Sequence, residues 1–552
     1  MNYPYNDLNH HTLPNLLNRS IRLYKERPSF GMVDKSAMSY GEFMERVKQA
    51  VELLQINGIS KGDKVLLLSE NMPNWGVAYF AITYFGAVVV PVLVDFHPED
   101  IISILKHSEA RAIFTSDKQF KIIKNSKESE IKLIINIDEL KIINKPSNYS
   151  IADNLSEANL ISTEPLEDDL AAIIYTSGTT GNSKGVMLSH KNIVTNAMSS
   201  FSKVKILPSD VFLSILPLAH TFECTAGMIV PVLHGSSVYY IDKIPTPSIL
   251  IKAFSSVKPT MMFSVPLIIE KIYKNKVLEK FNSSFIMRHL YKIPFFRKIL
   301  NRIAGKKLLK IFGGRLKFFA IGGAALSPFV EEFLIEANFP YIVGYGITET
   351  APLIAGSVIG EKPRLKSTGT AFAGVEIKIK KTDPNDKSGE ILVKSPSVMM
   401  GYYKDKQKTA EVMEDGWFLT GDLGYIDGDG FLFIDGRSKN VIISSSGENI
   451  YPEQIESIIN QQEAVVESLV IESGGKIVAK VHLDEEFVNK KFDALNSSNE
   501  KVRKDIANYL EEMRNNVNSQ VSSFSRIVKF EEQLEPFIKT PTKKIKRYLY
   551  VD

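Results

Sequence analysis

The amino-acid sequence predicts an α/β protein with a large N-terminal domain of parallel α/β subdomains, a small β subdomain, and a small α+β C-terminal domain. Three observations lead to this prediction. Helical patterns alternate with short apolar strands in the N-terminal half, short alternating strands broken by turns fill residues 365–435, and a hairpin and a helix follow. Strands that alternate with helices imply parallel sheets covered on both faces.

The first elements are recognisable from their ends. Ser39 and Glu42 have the spacing of a capping box, and the amphipathic helix that they begin is predicted to run to Gly58. Buried strands are predicted from short apolar runs at residues 64–68, 112–115, 133–136 and 261–264. The polar and irregular stretch 118–163 is predicted to include surface loops.

One uncharged segment, residues 77–94, is long enough to imitate a membrane-spanning helix. Gly86 and Pro91 divide it, and residues 88–90 are all β-branched valines. A buried helix, a glycine turn and a buried strand therefore fit this segment better than one spanning helix.

The third predicted region is the C-terminal one. A hairpin is expected around Gly474 and Gly475, where strand 465–473 turns into strand 476–483. A helix is expected near residues 501–517. Two strands and a helix of this kind predict a small α+β unit.

Composition excludes several classes of protein. With 552 residues, 44% of them hydrophobic and 24% charged, the chain is long enough for more than one globular domain. A net charge of +4 argues against a dedicated nucleic-acid binder. Cys224 is the only cysteine, so no intrachain disulfide can form, and no secretory signal is recognisable at the N-terminus. These features predict a cytoplasmic protein.

The most informative run extends from Tyr175 to His190, directly after an apolar strand. Its glycines let backbone N–H groups converge on an anion, its hydroxyls donate hydrogen bonds, and its lysine adds a positive charge. It is not a Walker loop, and a plain Gly/Ser linker seldom follows a buried strand. The predicted phosphate-binding residues are Thr176, Ser177, Gly178, Thr179, Thr180, Gly181 and Lys184.

Further motifs follow in a fixed order. They lie at residues 216–220, 344–349, 420–422, 435–439, 447–452 and 539–547. Together with the phosphate run, this set resembles the AMP-forming, adenylate-making superfamily of acyl-CoA synthetases, luciferases and adenylation domains, over most of the chain. The resemblance implies an adenylate-forming domain at residues 1–436 and a mobile C-terminal domain at residues 437–552.

The resemblance also implies ATP and Mg²⁺ and assigns residues to them. Thr348 would bond a phosphate oxygen, and Glu349 would hold Mg²⁺, which prefers oxygen ligands. Tyr345 would stack on adenine, while Asp422 would accept from the ribose hydroxyls beside Arg437. The base would also be lined by Gly323, Ala324 and Ala325. The residues alone leave open that Asp422 is only a turn residue.

Catalytic residues follow from the same resemblance. Lys544 would bridge the carboxylate and the α-phosphate during adenylation, although a solvated basic tail is the alternative reading of this cluster. The family usually has glycine where this chain has Lys543. His220 would lie near the acyl carboxylate, unless it is an ordinary core histidine.

A second half-reaction needs a thiol acceptor, which the resemblance identifies as coenzyme A. The C-terminal domain would rotate about Lys439 and bring Gly447 to the pantetheine tunnel. Two steps that need incompatible arrangements give a physical reason for a hinge.

Residues 271–317 carry fourteen Lys and Arg against one acid, Glu279, with aromatic residues between them. This basic insert resembles the long-chain fatty acyl-CoA synthetase branch. It would suit an anionic membrane surface, with peripheral attachment at the inner face of the membrane, whereas a solvated amphipathic surface is the alternative. Cys224 stands where some relatives have an aromatic gate.

The sequence therefore predicts an ATP-dependent long-chain fatty acid–CoA ligase that uses ATP, Mg²⁺ and coenzyme A and has no nucleic-acid partner. One alternative is an acyl–acyl-carrier-protein synthetase with the same first step. The other is a non-catalytic acyl-nucleotide-binding module, against which the retention of Lys544, Glu349 and Lys184 argues.

Overall fold

The computed structural model describes residues 3–124, 131, 133–144, 164–176, 183–243, 245–282, 284–443, 448–492 and 499–551. The strands are β1 (Phe30–Met32), β2 (Lys64–Leu68), β3 (Val88–Pro91), β4 (Ala110–Thr115), β5 (Leu133–Asn136), β6 (Lys141–Asn144), β7 (Leu170–Thr176), β8 (Lys184–Ser189), β9 (Val211–Ser214), β10 (Ser237–Tyr240), β11 (Met261–Ser264), β12 (Phe318–Ile321), β13 (Tyr341–Gly346), β14 (Leu353–Gly356), β15 (Thr370–Ala371), β16 (Glu376–Lys380), β17 (Gly389–Lys394), β18 (Gly401–Tyr402), β19 (Met413–Glu414), β20 (Trp417–Ile426), β21 (Leu432–Arg437), β22 (Ile442–Ile443), β23 (Asn449–Ile450), β24 (Val465–Ser473), β25 (Lys476–Leu483) and β26 (Lys529–Glu532).

Helices cover the sheets, and short 3₁₀ and π segments interrupt the chain at Glu223–Ile229, Lys274–Leu278 and Thr348–Thr350. The α-helices are α1 (Leu13–Tyr24), α2 (Tyr40–Ile56), α3 (Pro73–Tyr84), α4 (Pro98–Ser108), α5 (Asp117–Lys124), α6 (His190–Ser199), α7 (Val230–His234), α8 (Pro247–Val257), α9 (Pro266–Tyr273), α10 (Glu279–Asn282), α11 (Phe285–Lys292), α12 (Pro294–Ile311), α13 (Pro328–Glu336), α14 (Lys406–Glu411), α15 (Pro452–Ile459), α16 (Glu485–Phe492) and α17 (Asn499–Asn518).

Two eight-stranded sheets form the N-terminal half of the fold. One has the strand order β18-β8-β7-β3-β2-β4-β5-β6, and the other has the order β1-β10-β9-β11-β12-β13-β14-β15. Their central strands are parallel, and antiparallel strands flank them. The predicted α/β class is confirmed. Since parallel strands end at the same sheet edge, the loops that follow β9, β12 and β13 are brought close together.

The small β subdomain is an antiparallel sheet in which β21 pairs with β20. That pairing sets Asp422 directly opposite Arg437, although the two are fifteen positions apart in the sequence. The subdomain has its own small core around Ile354 and Ile391. The pairing of β20 with β21 in this subdomain therefore places two predicted site residues side by side.

The C-terminal region contains the predicted hairpin, β24 and β25, and the predicted helix, α17. Ile455, Val470 and Leu510 belong to a buried cluster distinct from the main core of the N-terminal sheets. This separation fits a boundary near Arg437, which stays a prediction.

Several local predictions are confirmed. The backbone N–H of Glu42 donates to Ser39 Oγ at 3.1 Å, and that of Ser39 donates to Glu42 Oε2 at 2.6 Å, which completes the capping box. Residues 77–94 divide into α3 and β3 at Gly86, whose φ is +82°. Within the described part of the chain, every helix is too short or too polar to cross a membrane.

The stretch 118–163 is more regular than its polarity suggests. It includes most of α5 and all of β5 and β6, and β6 forms the edge of the sheet. An edge strand tolerates polar side chains because one side of it faces water. Residues 125–130, 132 and 145–163, on which part of the loop prediction falls, lie outside the described residues.

Candidate active site

One cleft, of about 3940 Å³, contains every candidate residue that the structure describes. This is larger than a pocket for a single drug-sized ligand, so the cleft has room for a nucleotide and an acyl chain together. Its lining includes Thr176, Lys184, His220, Gly323, Ala324, Ala325, Tyr345, Thr348, Glu349, Asp422, Arg437, Lys439 and Lys544. The remaining candidates, Ser177, Gly178, Thr179, Thr180, Gly181 and Gly447, lie outside the described residues.

The ends of the phosphate run are held by strand pairing. Thr176, the last residue of β7, lies opposite Lys184, the first residue of β8. Loss of hydration lowers the pKa of Lys184, and the positive charges of Lys408 and Lys439 lower it further. An anion bound at this lysine would relieve that crowding of positive charge.

Asp422 is the centre of a hydrogen-bonded trio. Its Oδ2 accepts from the Tyr345 hydroxyl at 2.6 Å, and its Oδ1 lies 2.9 Å from Arg437 Nε. Asp422 is 4% exposed, so its charge needs these partners. A carboxylate that is buried and fixed at the cleft wall is suited to accept hydrogen bonds from a sugar diol.

Glu349 lies in the single 3₁₀ turn that follows β13. The hydroxyl of Tyr402 donates to its Oε1 at 3.0 Å, and the Tyr402 ring lies under the ammonium of Lys184, 5.3 Å away. No three His, Cys, Asp or Glu of the described residues form a metal cluster. Glu349 therefore fits Mg²⁺ only as one carboxylate that shares the ion with phosphate oxygens and water, which is how Mg²⁺ is usually held.

Lys544 extends from the C-terminal region into the cleft, where water reaches it through the open cavity. Its surroundings nevertheless lower its pKa, first by loss of hydration and then by the positive charge of Arg437, while Asp422 and Glu349 oppose the change. The basic-tail alternative would leave this side chain away from the cleft. The Lys544 side chain instead lines the cleft, where it can bind an anion.

His220 follows β9 and lies half-buried at the wall of the cleft. Its Nδ1 accepts from the backbone N–H of Phe222 at 3.2 Å, so the ring carries its proton on Nε2. Burial lowers the pKa of His220 to about 4, and the charge of Lys544 acts in the same direction. A neutral imidazole N–H can donate to a carboxylate without competing with a cation for it.

Sequence reasoning missed one side chain at this site and one that is buried near it in the sequence. Tyr402 belongs to no predicted motif, and only the pairing of β18 with β8 brings it to Glu349. Glu223, in the π-helical segment after His220, is fully buried, and burial raises the pKa of its carboxyl group to about 8. Its position three residues after His220 was the one signal in the sequence that could have pointed to it.

The sequence comparisons identify the family. Residues 17–403 match the family model described as AMP-binding enzyme, which covers well over half of the chain. The chain belongs to the AMP-binding enzyme family. Its predicted membership of this superfamily is thereby confirmed.

Sequence relatives place this AMP-binding enzyme among long-chain acyl-CoA synthetases. It is 29% identical to long chain acyl-CoA synthetase 7, peroxisomal, of Arabidopsis thaliana, over 93% of this chain and 79% of the relative. It is 30% identical to the long-chain-fatty-acid–CoA ligase heimdall of Drosophila melanogaster, over 83% of this chain and 74% of the relative.

The solved structures agree on the fold. O-succinylbenzoate coenzyme A synthetase of Bacillus subtilis, in complex with AMP, superimposes with a TM-score of 0.74. The match covers 97% of each chain at 24% sequence identity. This similarity extends to the C-terminal region as well as to the two large sheets.

Proposed function

We propose that this enzyme is an ATP-dependent ligase that converts a long-chain fatty acid to its acyl-CoA thioester through an acyl-adenylate, releasing AMP and pyrophosphate. The observation that carries the proposal is the meeting of Lys544, Glu349 and the Asp422–Arg437 pair in one cleft. Family membership and the long-chain acyl-CoA synthetase relatives support the same reaction.

The first step joins two anions. A carboxylate oxygen of the fatty acid attacks the α-phosphorus of ATP, and pyrophosphate leaves as its bond to that phosphorus breaks. The barrier is electrostatic as well as entropic, so fixed positive charge and alignment are what the protein must supply. Lys544 would bridge the two reactants, and Lys184 would neutralise the leaving phosphates.

Asp422 and Arg437 would hold the ribose, and Tyr345 would lie against adenine beside Gly323, Ala324 and Ala325. Thr348 would bond a phosphate, and Mg²⁺ at Glu349 would supply further charge neutralisation. His220, neutral and with its proton on Nε2, would donate to the acyl carboxylate. The acid carries no proton to be removed, so no general base is needed.

The second step transfers the acyl group to coenzyme A. The thiol of coenzyme A loses its proton to solvent, its sulfur attacks the acyl carbon, and AMP leaves as the acyl–phosphate oxygen bond breaks. We assign the change between steps to rotation of residues 437–552 about Lys439, which would withdraw Lys544 and bring Gly447 to the tunnel. Lys439 lines the cleft in a short turn directly after β21.

Apolar side chains in the cleft lining support an apolar acyl chain as the substrate. The cleft lining includes Leu216, Ala226, Val230 and Phe263, all of them largely buried side chains. Apolar lining of this kind favours an alkyl chain over a short or charged acid, since each buried methylene contributes about 0.8 kcal/mol.

Product analysis tests the proposal. The enzyme is incubated with ATP, Mg²⁺ and acids from acetate and benzoate to palmitate, with coenzyme A or with acyl-carrier protein. We expect palmitoyl-CoA, AMP and pyrophosphate. Thioester on carrier protein alone would favour the second candidate, whose first step is identical, and release of AMP with none of the acids would refute both.

We also propose that the enzyme attaches peripherally to anionic membranes through α11 and the outer side of α12. Phe285, Ile286 and Phe295 are 72%, 68% and 69% exposed, unusual values for such large apolar side chains. The exposed Lys298 and Arg302 stand among them, with no ion-pair partner among the described residues. Aromatic side chains and basic groups on one helical surface suit the boundary of an anionic bilayer.

The basic segment is not uniform, however. Tyr273, Phe281 and Phe312 are buried, and Arg297 bonds Glu336 and Glu332 of α13. Reversing Arg297 would therefore break the packing of α12 rather than test membrane binding. Lys298→Glu/Arg302→Glu and Phe285→Ser/Phe295→Ser are the informative variants.

Sedimentation with phosphatidylcholine vesicles containing phosphatidylglycerol measures the attachment. Binding should rise with phosphatidylglycerol and fall with salt, because each basic residue at such a surface contributes about 1 kcal/mol. The Lys298/Arg302 double variant should bind at least about tenfold more weakly. Lys490→Glu/Lys504→Glu makes the same charge change in the C-terminal region and should not reduce binding. Equal losses in the two double variants would count against this surface.

A further inference from the structure

The residue before Lys544 is in an unusual conformation. Residues 539–545 form a tight hairpin in which Lys539 pairs with Ile545 and the N–H of Lys543 donates to the Thr540 carbonyl at 2.8 Å. At its tip Lys543 has φ +63°, in the left-handed region that favours glycine. The superfamily motif usually has glycine at this position, so a lysine here carries a backbone cost that glycine would avoid.

The Lys543 side chain reaches a residue of the N-terminal part of the fold. Lys543 Nζ is 2.9 Å from Oδ2 of Asp95, a residue of the loop after β3 in the N-terminal sheet. The base of the same hairpin is tied to the C-terminal region, where Lys539 pairs with Glu467. The hairpin is thus anchored at its base to one part of the fold and at its tip to another.

The neighbouring side chain enters the active site. Lys544 lies close enough to Arg437, Asp422 and Glu349 for their charges to act on it. Because residues 543 and 544 are adjacent, fixing the tip at Asp95 also limits where Lys544 can go. Any rotation that withdrew Lys544 from the cleft would separate Lys543 from Asp95.

We propose that Asp95 and Lys543 are positioning residues, whose ion pair holds the terminal hairpin in the arrangement that forms the acyl-adenylate. This inference rests on the proposed function. Asp95 favours the first half-reaction and opposes the change to the second. Both act through Lys544, which follows Lys543 directly in the chain.

Half-reaction kinetics test the inference. Asp95→Asn and Lys543→Gln should each slow acyl-adenylate formation by up to about fivefold at low salt, the range for an exposed ion pair. Thioester formation from supplied acyl-adenylate should be unchanged or faster. The double variant Asp95→Lys/Lys543→Asp should recover the adenylation rate, and high salt should remove the difference between parent and variants.

The control is Lys529→Gln. Lys529 is as exposed as Lys543, 67%, and its ion pair with Glu531 lies within β26. It should change neither half-reaction. Equal slowing of both half-reactions by Asp95→Asn, or no recovery in the charge-swapped variant, would overturn the inference.

A carbodiimide coupling experiment is independent of catalysis. It joins a carboxylate directly to an amine, so the parent should yield a cross-linked peptide containing Asp95 and Lys543. Asp95→Asn should abolish it, and so should Lys543→Arg, which keeps the charge but has no amine to couple. A parent enzyme that forms this cross-link but no acyl-adenylate would refute the proposed function alone. Absence of the cross-link in the folded parent would refute the ion pair.

Discussion

Glu223 offers a test of the buried electrostatics beside the active site. Its carboxyl group is 1% exposed, Oε2 has no hydrogen-bond partner among the described residues, and burial raises its pKa from 4.5 to about 8. Gly227 makes the space, because a Cβ there would lie 2.6 Å from the carboxyl carbon. Glu223 is therefore protonated in the folded protein at neutral pH, while in the unfolded chain it is ionised.

The direction of the pH effect follows from proton counting. Between pH 4.5 and 8 the folded state holds a proton that the unfolded state has lost, so the free energy of unfolding falls as pH rises. One pKa unit corresponds to about 1.4 kcal/mol, which gives a loss of about 4 kcal/mol between pH 5 and pH 8 from this residue. The contribution of protonated Glu223 to the free energy of unfolding is complete below pH 4.5 and is lost as pH rises through 8.

Glu223→Gln stays neutral at every pH and has nearly the same shape. Urea unfolding, followed by the fluorescence of the buried Trp75 in the same domain, should give similar stabilities for parent and variant at pH 5.5. At pH 8.5 the variant should be more stable by several kcal/mol. Glu331 and Glu456, whose pKa values burial raises to about 7, are common to both proteins and cancel in the difference. Parallel stability curves from pH 5.5 to 8.5 would refute the reasoning.

Three further predictions concern catalysis. Lys544→Ala should reduce acyl-adenylate formation, measured as pyrophosphate release, by at least about a hundredfold. Thioester formation from supplied acyl-adenylate should largely survive, and equal loss of both steps would contradict the role of Lys544. Glu349→Gln should raise the Mg²⁺ concentration needed for half-maximal adenylation, measured by Mg²⁺ titration, and an unchanged requirement would remove Glu349 from the metal site. Lys439→Pro should keep adenylation and block the thioester step, because proline fixes φ at the hinge; acyl-CoA formed at the parent rate would place the hinge elsewhere.

Local signals predicted local structure well. The capping box at Ser39 and the hairpin at Gly474 depend on residues a few positions apart, and both are present in the structure. The regular structure of the polar stretch around β6 was not predicted, because an edge strand can form without an apolar pattern. The π-helical turns at Glu223–Ile229 and Lys274–Leu278 also have no sequence signature of their own.

By itself, the sequence determined the order of motifs and the fold class, and it predicted the register that distinguishes Lys544 from Lys543, since these depend on the kind and spacing of residues along the chain. Tertiary structure alone decided which distant groups meet. The contacts of Tyr402 with Glu349 and of Lys543 with Asp95 each join residues far apart in the sequence. The exposure of Phe285 and the burial of Phe312 in one basic segment were decided in the same way. Burial and long-range charge contacts arise only when separate elements pack together, so no local pattern carries them.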